Sequence, residues 1–83
     1  MVTSTQCAAA RALLRWKQAD LSEAISDIGG KLSVTAITAF ERGGSIRTSN
    51  AQLIREALEK AGVQFIPENG GGAGVRLAKR SES

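Results

Sequence analysis

The side chains with the most evident binding chemistry lie in residues 33–43, which read S-V-T-A-I-T-A-F-E-R-G. Where a surface helix normally carries Lys and Glu, this segment presents small, uncharged groups. These residues are Ser33, Val34, Thr35, Thr38 and Ala39. Hydroxyl groups can donate or accept a hydrogen bond, and small side chains allow another molecule to approach closely. The edge of a DNA base pair is one candidate for that molecule.

Positively charged side chains bracket this segment. Lys31 precedes it, Arg42 lies at its end and Arg47 follows in the next loop. The whole chain has a net charge of +3 and a pI of about 9.6. A basic chain is compatible with nucleic-acid binding but does not require it, so the placement of the cations is the stronger argument.

Catalytic chemistry has little support in the sequence. The chain has no histidine and one cysteine, Cys7, which we interpret as a small core residue of a helix. A zinc site of the usual kind is therefore excluded. The glycines at 70–72 lack the Lys-Ser/Thr and the helix start of a phosphate-binding loop, so we interpret them as a turn. We expect no enzymatic activity, no metal and no cofactor.

The length and composition indicate one small domain. A chain of 83 residues buries a modest core and often depends on a partner subunit, although 42% hydrophobic residues are enough for a globular fold. No apolar run approaches the ~20 residues of a membrane span. The N-terminus, M-V-T-S-T, does not resemble a signal peptide. We therefore expect a reducing, cytoplasmic location and no membrane partner.

Four or five helices are expected over residues 1–62. Thr3 and Gln6 match a capping box, which predicts a first helix from Thr3 to about Trp16. A second helix is predicted from Lys17 or Gln18 to the helix-breaking glycines at 29–30.

The next two helices are also delimited by their end residues. Ser33 is an N-cap and Gly43 a terminator of the helix that carries the small side chains. Ser49 with Gln52 predicts a second capping box, and Gly62 ends that last helix.

A change of pattern after Gly62 predicts a β-hairpin over residues 63–78. Residues 63–66 are β-prone, Pro67 ends that strand, and residues 68–74 form a glycine-rich turn before a strand at 75–77. The predicted fold class is thus mainly α, with a short C-terminal hairpin. We expect a flexible tail at residues 79–83.

The order of these residues resembles the Xre-type, lambda-repressor-like helix-turn-helix family. The resemblance covers about residues 3–61. It rests on R-x-x-L-x-W-K-Q-A-D-L at 11–21 and on the spacing of Ser33, Ile37, Phe40, Glu41 and Gly43. The tail V-Q-F-I-P-E-N-G-G-G-A-G-V-R-L also resembles short bacterial members with a C-terminal hairpin.

This resemblance implies a sequence-specific DNA-binding transcriptional regulator that acts as a dimer, with its third helix in the major groove. The residues nearest the bases would be Ser33, Val34, Thr35, Thr38 and Ala39. The residues near phosphates would be Gln18, Lys31, Arg42 and Arg47. Arg11 and Glu41 match a family pair that bridges the first and third helices; alternatively, they are two solvated charges.

The chain differs from the family pattern in two ways. The link between helices 2 and 3 is about five residues longer, so either helix 2 gains a turn or the loop bulges. The reading face also lacks the long polar side chains that usually discriminate bases. A second hypothesis is therefore a protein-binding regulator, of the anti-activator or antitoxin-like kind, that keeps the fold without reading DNA.

The apolar content of the hairpin predicts a dimer contact. Two strands alone are marginal in water and leave edges that can pair. We expect a homodimer on a pseudo-palindromic operator of double-stranded DNA, with these residues at the interface: Val63, Phe65, Ile66, Val75 and Leu77. The alternative is a hairpin that folds back on its own helices in a monomer.

Overall fold

Four α-helices followed by one β-hairpin make up the structure, a computed structural model that describes residues 1–78. The helices are α1 (Ser4–Leu14), α2 (Gln18–Asp27), α3 (Val34–Glu41) and α4 (Thr48–Lys60), and the strands are β1 (Val63–Ile66) and β2 (Gly74–Leu77). The mainly helical class with a terminal hairpin is confirmed. The flexible tail expected at 79–83 lies outside the described residues. Over residues 1–78, no helix is long and apolar enough to cross a membrane.

The first helix begins where the sequence predicts and ends earlier. The backbone N–H of Gln6 donates to Thr3 Oγ1 at 3.0 Å, and the backbone N–H of Thr3 donates to Gln6 Oε1 at 3.0 Å, which completes the capping box. The expected end near Trp16 is wrong. Arg15 adopts a left-handed conformation with φ of 58°, and the Trp16 N–H turns back to the Arg11 carbonyl at 2.8 Å. This arrangement ends a helix in the same way as a terminal glycine does.

The long link between α2 and α3 is a packed loop rather than an extra helical turn. Gly30 lies so close to the core that a Cβ atom would come within 2.7 Å of Leu53 and 2.9 Å of Ile25. The Ser22 hydroxyl donates to the Leu32 carbonyl at 2.6 Å, and the Leu32 side chain is buried. The extra residues are therefore anchored at both ends, which allows α3 to follow α2 without a tight turn.

Residues at both ends of α3 fix its length. The Ser33 Oγ accepts a hydrogen bond from the Ala36 N–H at 3.1 Å, as expected of an N-cap. Gly43 has φ of +98° and carries the chain out of the helix, a conformation that is strained for any residue with a Cβ. The result is a helix of 8 residues with defined ends.

The predicted capping box of the last helix is not formed. α4 begins at Thr48, one residue before the expected cap, and Arg47 is the N-cap with no side-chain hydrogen bond. Ser49 therefore lies inside the first turn. The Gln52 amide donates along the helix to Glu56 at 3.2 Å instead of turning back to the backbone.

Each helix contributes one face to a single core. The largest fully buried side chains are Leu21, Ile25, Ile37, Ile54, Leu58 and Cys7. Ile37 and Phe40 anchor α3 in this core, three residues apart on one side of the helix, as their spacing predicts. The opposite side of α3 is consequently turned outward.

The hairpin folds back on the helices of its own chain. Its antiparallel register pairs Val63 with Leu77 and Phe65 with Val75. Val63 is only 2% exposed, and the Arg55 guanidinium lies 5.3 Å from the centre of the Phe65 ring. The core of its own chain thus covers Val63 almost completely, which leaves little of this side chain for the expected contact with a second chain.

The remaining hairpin residues differ in exposure. Phe65, Ile66 and Val75 are half-buried, and Phe65 and Val75 pack against the core. Leu77 is 48% exposed and is the one large apolar side chain of the hairpin that remains accessible within the described residues.

A buried glutamine attaches this hairpin to α1. Gln6 is 6% exposed, and its Nε2 donates to the Gly74 carbonyl at 3.0 Å and reaches the Ile66 carbonyl at 3.5 Å. The same side chain accepts a hydrogen bond at the start of α1. The Gln6 side chain thus provides hydrogen-bond partners for backbone groups both at the start of α1 and at the open end of the hairpin.

We predict that Gln6→Met, which keeps the volume but removes the amide, lowers the free energy of unfolding by about 1–3 kcal/mol. Backbone groups at Thr3, Ile66 and Gly74 lose their partner. Urea unfolding measures the loss, and amide hydrogen exchange should be faster in the hairpin than in α4.

The matched control is Gln52→Met, which removes an amide that bonds only at an exposed position of α4. Its effect should stay within about 0.5 kcal/mol. Equal stability losses for the two variants would show that Gln6 does not attach the hairpin.

Candidate nucleic-acid interface

The Glu41 carboxylate, at the end of α3, collects donors from two other helices. Arg11 donates to it twice, Nε to Oε2 at 2.7 Å and Nη2 to Oε1 at 2.6 Å. The Gln18 Nε2 donates to Oε1 at 3.0 Å, and the Cys7 thiol donates to Oε2 at 3.1 Å. We call these four residues the Glu41 cluster. It joins the inner side of α1, the start of α2 and the end of α3.

The cluster is a packed feature rather than a solvated pair of charges. The Glu41 side chain is 7% exposed and the Arg11 side chain 19%. Arg11 also donates from Nη1 to the Trp16 carbonyl at 2.9 Å, which ties the chain after α1 to the same guanidinium. The structure therefore brings together the expected Arg11–Glu41 bridge.

The environment of the cluster shifts the pKa of three groups. Burial by itself raises the pKa of Glu41, but hydrogen bonds from Arg11, Gln18 and Cys7 outweigh it, and the pKa of Glu41 is lowered. The hydrogen bond to Glu41 raises the pKa of Arg11. Burial, with the adjacent carboxylate, raises the pKa of Cys7 far above its ordinary value, so this thiol stays protonated and donates.

Gln18 and Thr38 are tied to each other across the α2–α3 contact. The Thr38 hydroxyl lies within hydrogen-bond distance of Gln18 Oε1 and 2.9 Å from the Val34 carbonyl. Its single proton serves one of these acceptors at a time. The Thr38 hydroxyl is therefore engaged within the chain, on the side of α3 that faces α2, and its proximity to a DNA base stays a prediction. Gln18 is half-buried and keeps one amide proton that these contacts do not use.

The outward face of α3 keeps four of the five expected base-facing residues. Ser33, Thr35 and Ala39 are exposed, and Val34 is 40% exposed. The Ser33 oxygen is already an N-cap acceptor, so the hydroxyl of Thr35 is the polar group on this face that no other contact engages. The surface is small, smooth and largely methyl-lined.

Three cations, which we call the cationic rim, lie next to α3 along the chain: Lys31, Arg42 and Arg47. All three side chains are exposed. Within residues 1–78 the salt bridges are Arg11–Glu41 and Arg55–Glu59, so the rim cations have no acidic partner there. Ile46 packs against the core and so fixes the backbone position of the neighbouring Arg47. An anion could approach the rim without displacing an internal ion pair.

Sequence reasoning did not assign Cys7 and Gln18 to the Glu41 cluster. Cys7 lies four residues before Arg11 on α1, and residues four apart share a helix face, so this spacing is the signal that indicates a shared partner. No comparable signal exists for Gln18 or Thr38, because their contact depends on how α2 crosses α3.

Comparison with protein-family models and with curated proteins finds no match to this chain. The geometry of its own residues therefore carries the functional argument. Among residues 1–78, no three His, Cys, Asp or Glu side chains are grouped so that they could hold a metal ion.

We predict strong energetic coupling between Arg11 and Glu41. Removing either partner leaves a largely buried charge without its counter-ion, so Arg11→Met or Glu41→Gln should each lower the free energy of unfolding by about 2–4 kcal/mol. A double-mutant cycle measured by urea unfolding should give a coupling energy of about 1–3 kcal/mol.

Arg55 and Glu59 provide the matched control pair. They lie four residues apart on α4, their atoms are 3.0 Å apart, and their side chains are 39% and 44% exposed. An exposed pair of this kind couples by about 0.3–0.5 kcal/mol. Coupling of Arg11 with Glu41 no larger than this would show that the bridge does not hold the helices together.

The lowered pKa of Glu41 predicts a specific loss of stability in acid. The ordinary pKa of this group is 4.5 and its folded pKa is lower. The unfolded chain therefore takes up the proton first, so the stabilisation is present above about pH 4.5 and is lost as the pH falls through the folded pKa.

Urea unfolding between about pH 6 and pH 3 measures this loss. Glu41→Gln should lie below the wild type at pH 6 and should show a flatter dependence on pH. Glu59→Gln, at an exposed position, should keep the wild-type slope. A wild-type slope in Glu41→Gln would assign the acid sensitivity to other carboxylates.

Proposed function

We propose that this protein is a sequence-specific DNA-binding transcriptional regulator with a lambda-repressor-like helix-turn-helix. In this proposal α2 crosses the DNA backbone and α3 lies in the major groove. Two copies act together on a pseudo-palindromic site in double-stranded DNA.

The observation that carries the proposal is the fixed attachment of a short, outward-facing helix to the one before it. α3 has 8 residues, too few to be stable alone, and the Glu41 cluster and the Gln18–Thr38 contact hold it against α2. Recognition of base edges needs this rigid presentation, because a helix must enter the groove at a defined angle.

The proposed base contacts follow from the exposed side chains of α3. Val34 and Ala39 offer methyl groups that fit the C5-methyl of thymine, and Thr35 offers one hydroxyl. No exposed residue within α3 can make the bidentate contacts that arginine makes to guanine or asparagine to adenine. Specificity would therefore depend in part on the shape and deformability of the site.

The proposed phosphate contacts come from the ends of the elements. Gln18 has one uncommitted amide proton at the start of α2, and the exposed Arg47 is the N-cap residue of α4, in the loop that follows α3. Lys31 and Arg42 flank the two ends of α3. These contacts position the helix without reading sequence.

A protein-binding regulator remains the second candidate. Val34, exposed at 40%, lies beside the exposed Ala39 and makes an apolar surface that a partner protein could also cover. The two functions differ in salt dependence. Binding to DNA through Z phosphates weakens with a slope of about −0.9Z in log affinity against log salt, and an apolar protein contact does not.

Selection of duplexes from a random pool tests the proposal directly. Enriched duplexes with two related half-sites about one helical turn apart are the expected result. Failure to enrich any sequence, together with flat salt dependence on random duplex, would favour the protein-binding alternative.

We predict that two substitutions distinguish residues that contact bases from residues that contact phosphates, when binding to the selected duplex is measured. Thr35→Glu places a negative charge at the base edges and should abolish specific binding while the domain stays folded. Arg47→Ala should weaken all duplexes alike and reduce the salt slope by about 0.9. Fluorescence anisotropy over a salt series measures both effects.

Matched controls keep the same charge changes away from α3. Gln64→Glu adds a charge at an exposed position of the hairpin, and Arg76→Ala removes one from the same hairpin. Both should bind as the wild type does. Undiminished binding by folded Thr35→Glu would overturn the placement of α3 in the groove, and a sequence-selective loss in Arg47→Ala would place Arg47 at base edges.

A further inference from the structure

An apolar groove lies between α2 and α4. It has a volume of about 190 Å³ and is lined by Trp16, Ala24, Asp27, Ile28, Ala57, Lys60 and Ala61. Trp16, Ala24 and Ile28 are half-buried and pack against the core, so their inner sides are held while their outer sides face the groove. We call this feature the α2–α4 groove. The volume suits one or two apolar side chains from another molecule.

The edge of this groove carries one positive and one negative side chain. Asp27 lies on α2 and Lys60 on α4, and both are exposed. Neither takes part in a salt bridge within residues 1–78, although they line the same groove. The edge of the α2–α4 groove is therefore complementary in charge to a surface that also presents one acid and one base around an apolar centre.

A second copy of this chain presents such a surface, because it carries the same Asp27 and Lys60 around the same apolar groove. In a two-fold dimer the same patch meets itself, so Asp27 of one copy would face Lys60 of the other and the reverse pair would form at the same time. Each copy would also bring the half-buried apolar side chains of Trp16 and Ile28 to the centre of the contact.

The groove is separate from the proposed DNA-binding face. None of its lining residues belongs to α3 or to the cationic rim. Lys60 ends α4, whose 13 residues place it about 20 Å from the Arg47 end at 1.5 Å per residue. Association at the groove thus leaves α3 of both copies uncovered.

We infer that the α2–α4 groove is the surface through which two copies of this chain associate, with reciprocal Asp27–Lys60 pairs around Trp16 and Ile28. This inference rests on the proposed function, which requires two copies on one site, and names the contact between them. It replaces the hairpin as the main dimer surface, since the inner face of the hairpin packs on its own helices.

Charge exchange in the full-length chain tests the inference without DNA. Sedimentation equilibrium should find a dimer for the wild type. Asp27→Lys and Lys60→Asp should each weaken the dimer about tenfold or more, because each creates two like-charge contacts by symmetry. The double variant Asp27→Lys with Lys60→Asp should restore it. Trp16, the one tryptophan of the chain, reports the same change as a concentration-dependent shift of its fluorescence.

Two controls give the test its specificity. Glu23→Lys makes the same charge change on the exposed side of α2, outside the groove, and should remain dimeric. Leu77→Asp alters the exposed apolar residue of the hairpin and should also remain dimeric.

Three results would overturn the inference. They are a monomeric wild type, a dimer that only Leu77→Asp dissociates, and single variants that the double variant does not rescue. Because association is measured without DNA, each of these leaves the DNA-binding proposal to be judged by its own duplex selection.

Discussion

The constraint on which the rest of the structure depends is the neutralisation of the Glu41 carboxylate. A carboxylate that is 7% exposed is strongly unfavourable unless charge and hydrogen bonds compensate it. No single helix supplies enough donors. Arg11 and Cys7 come from α1 and Gln18 from α2, so the carboxylate is satisfied only when three helices reach their final positions. Because the buried charge is tolerated only with all these donors in place, it favours one arrangement of α1, α2 and α3. An apolar residue at the same position would tolerate several arrangements of these helices.

This constraint explains how so short a helix is held in one orientation, which the proposed role in recognition requires. Apolar contacts through Ile37 and Phe40 hold α3 on the core, but contacts of that kind are not directional and would allow some rotation. The Glu41 cluster and Thr38 add directional bonds on the side of α3 that faces α2. The Thr38 hydroxyl and the Glu41 carboxylate are then engaged internally, and the outward face is left to small side chains. A surface that binds by close fit instead of long flexible side chains depends on such rigidity.

The parts of the fold that local sequence signals specify were predictable. The Thr3–Gln6 box, the Ser33 cap and the Gly43 terminator act within one helical turn, and each is found in the structure. The left-handed Arg15 was not predictable, because arginine has no preference for that conformation. The contact of Gln18 with Glu41 was not predictable either, since it is set by the way α2 crosses α3. Val63 was assigned to a dimer contact because its apolar character is visible in the sequence and the surface that covers it is not.

The position of the hairpin determines which parts of the helical surface remain exposed. A two-stranded hairpin needs another surface to be stable in water, and here α1 and α4 provide it, with Gln6 closing the end and Arg55 over the Phe65 ring. The hairpin thereby enlarges a core that would otherwise be small for a chain of this length. Because it occupies the side formed by α1 and α4, two other regions stay uncovered, the basic surroundings of α3 and the apolar groove between α2 and α4. One region is basic and the other apolar, so the two proposed contacts, with DNA and with a second copy, would use separate surfaces and would not disturb the core.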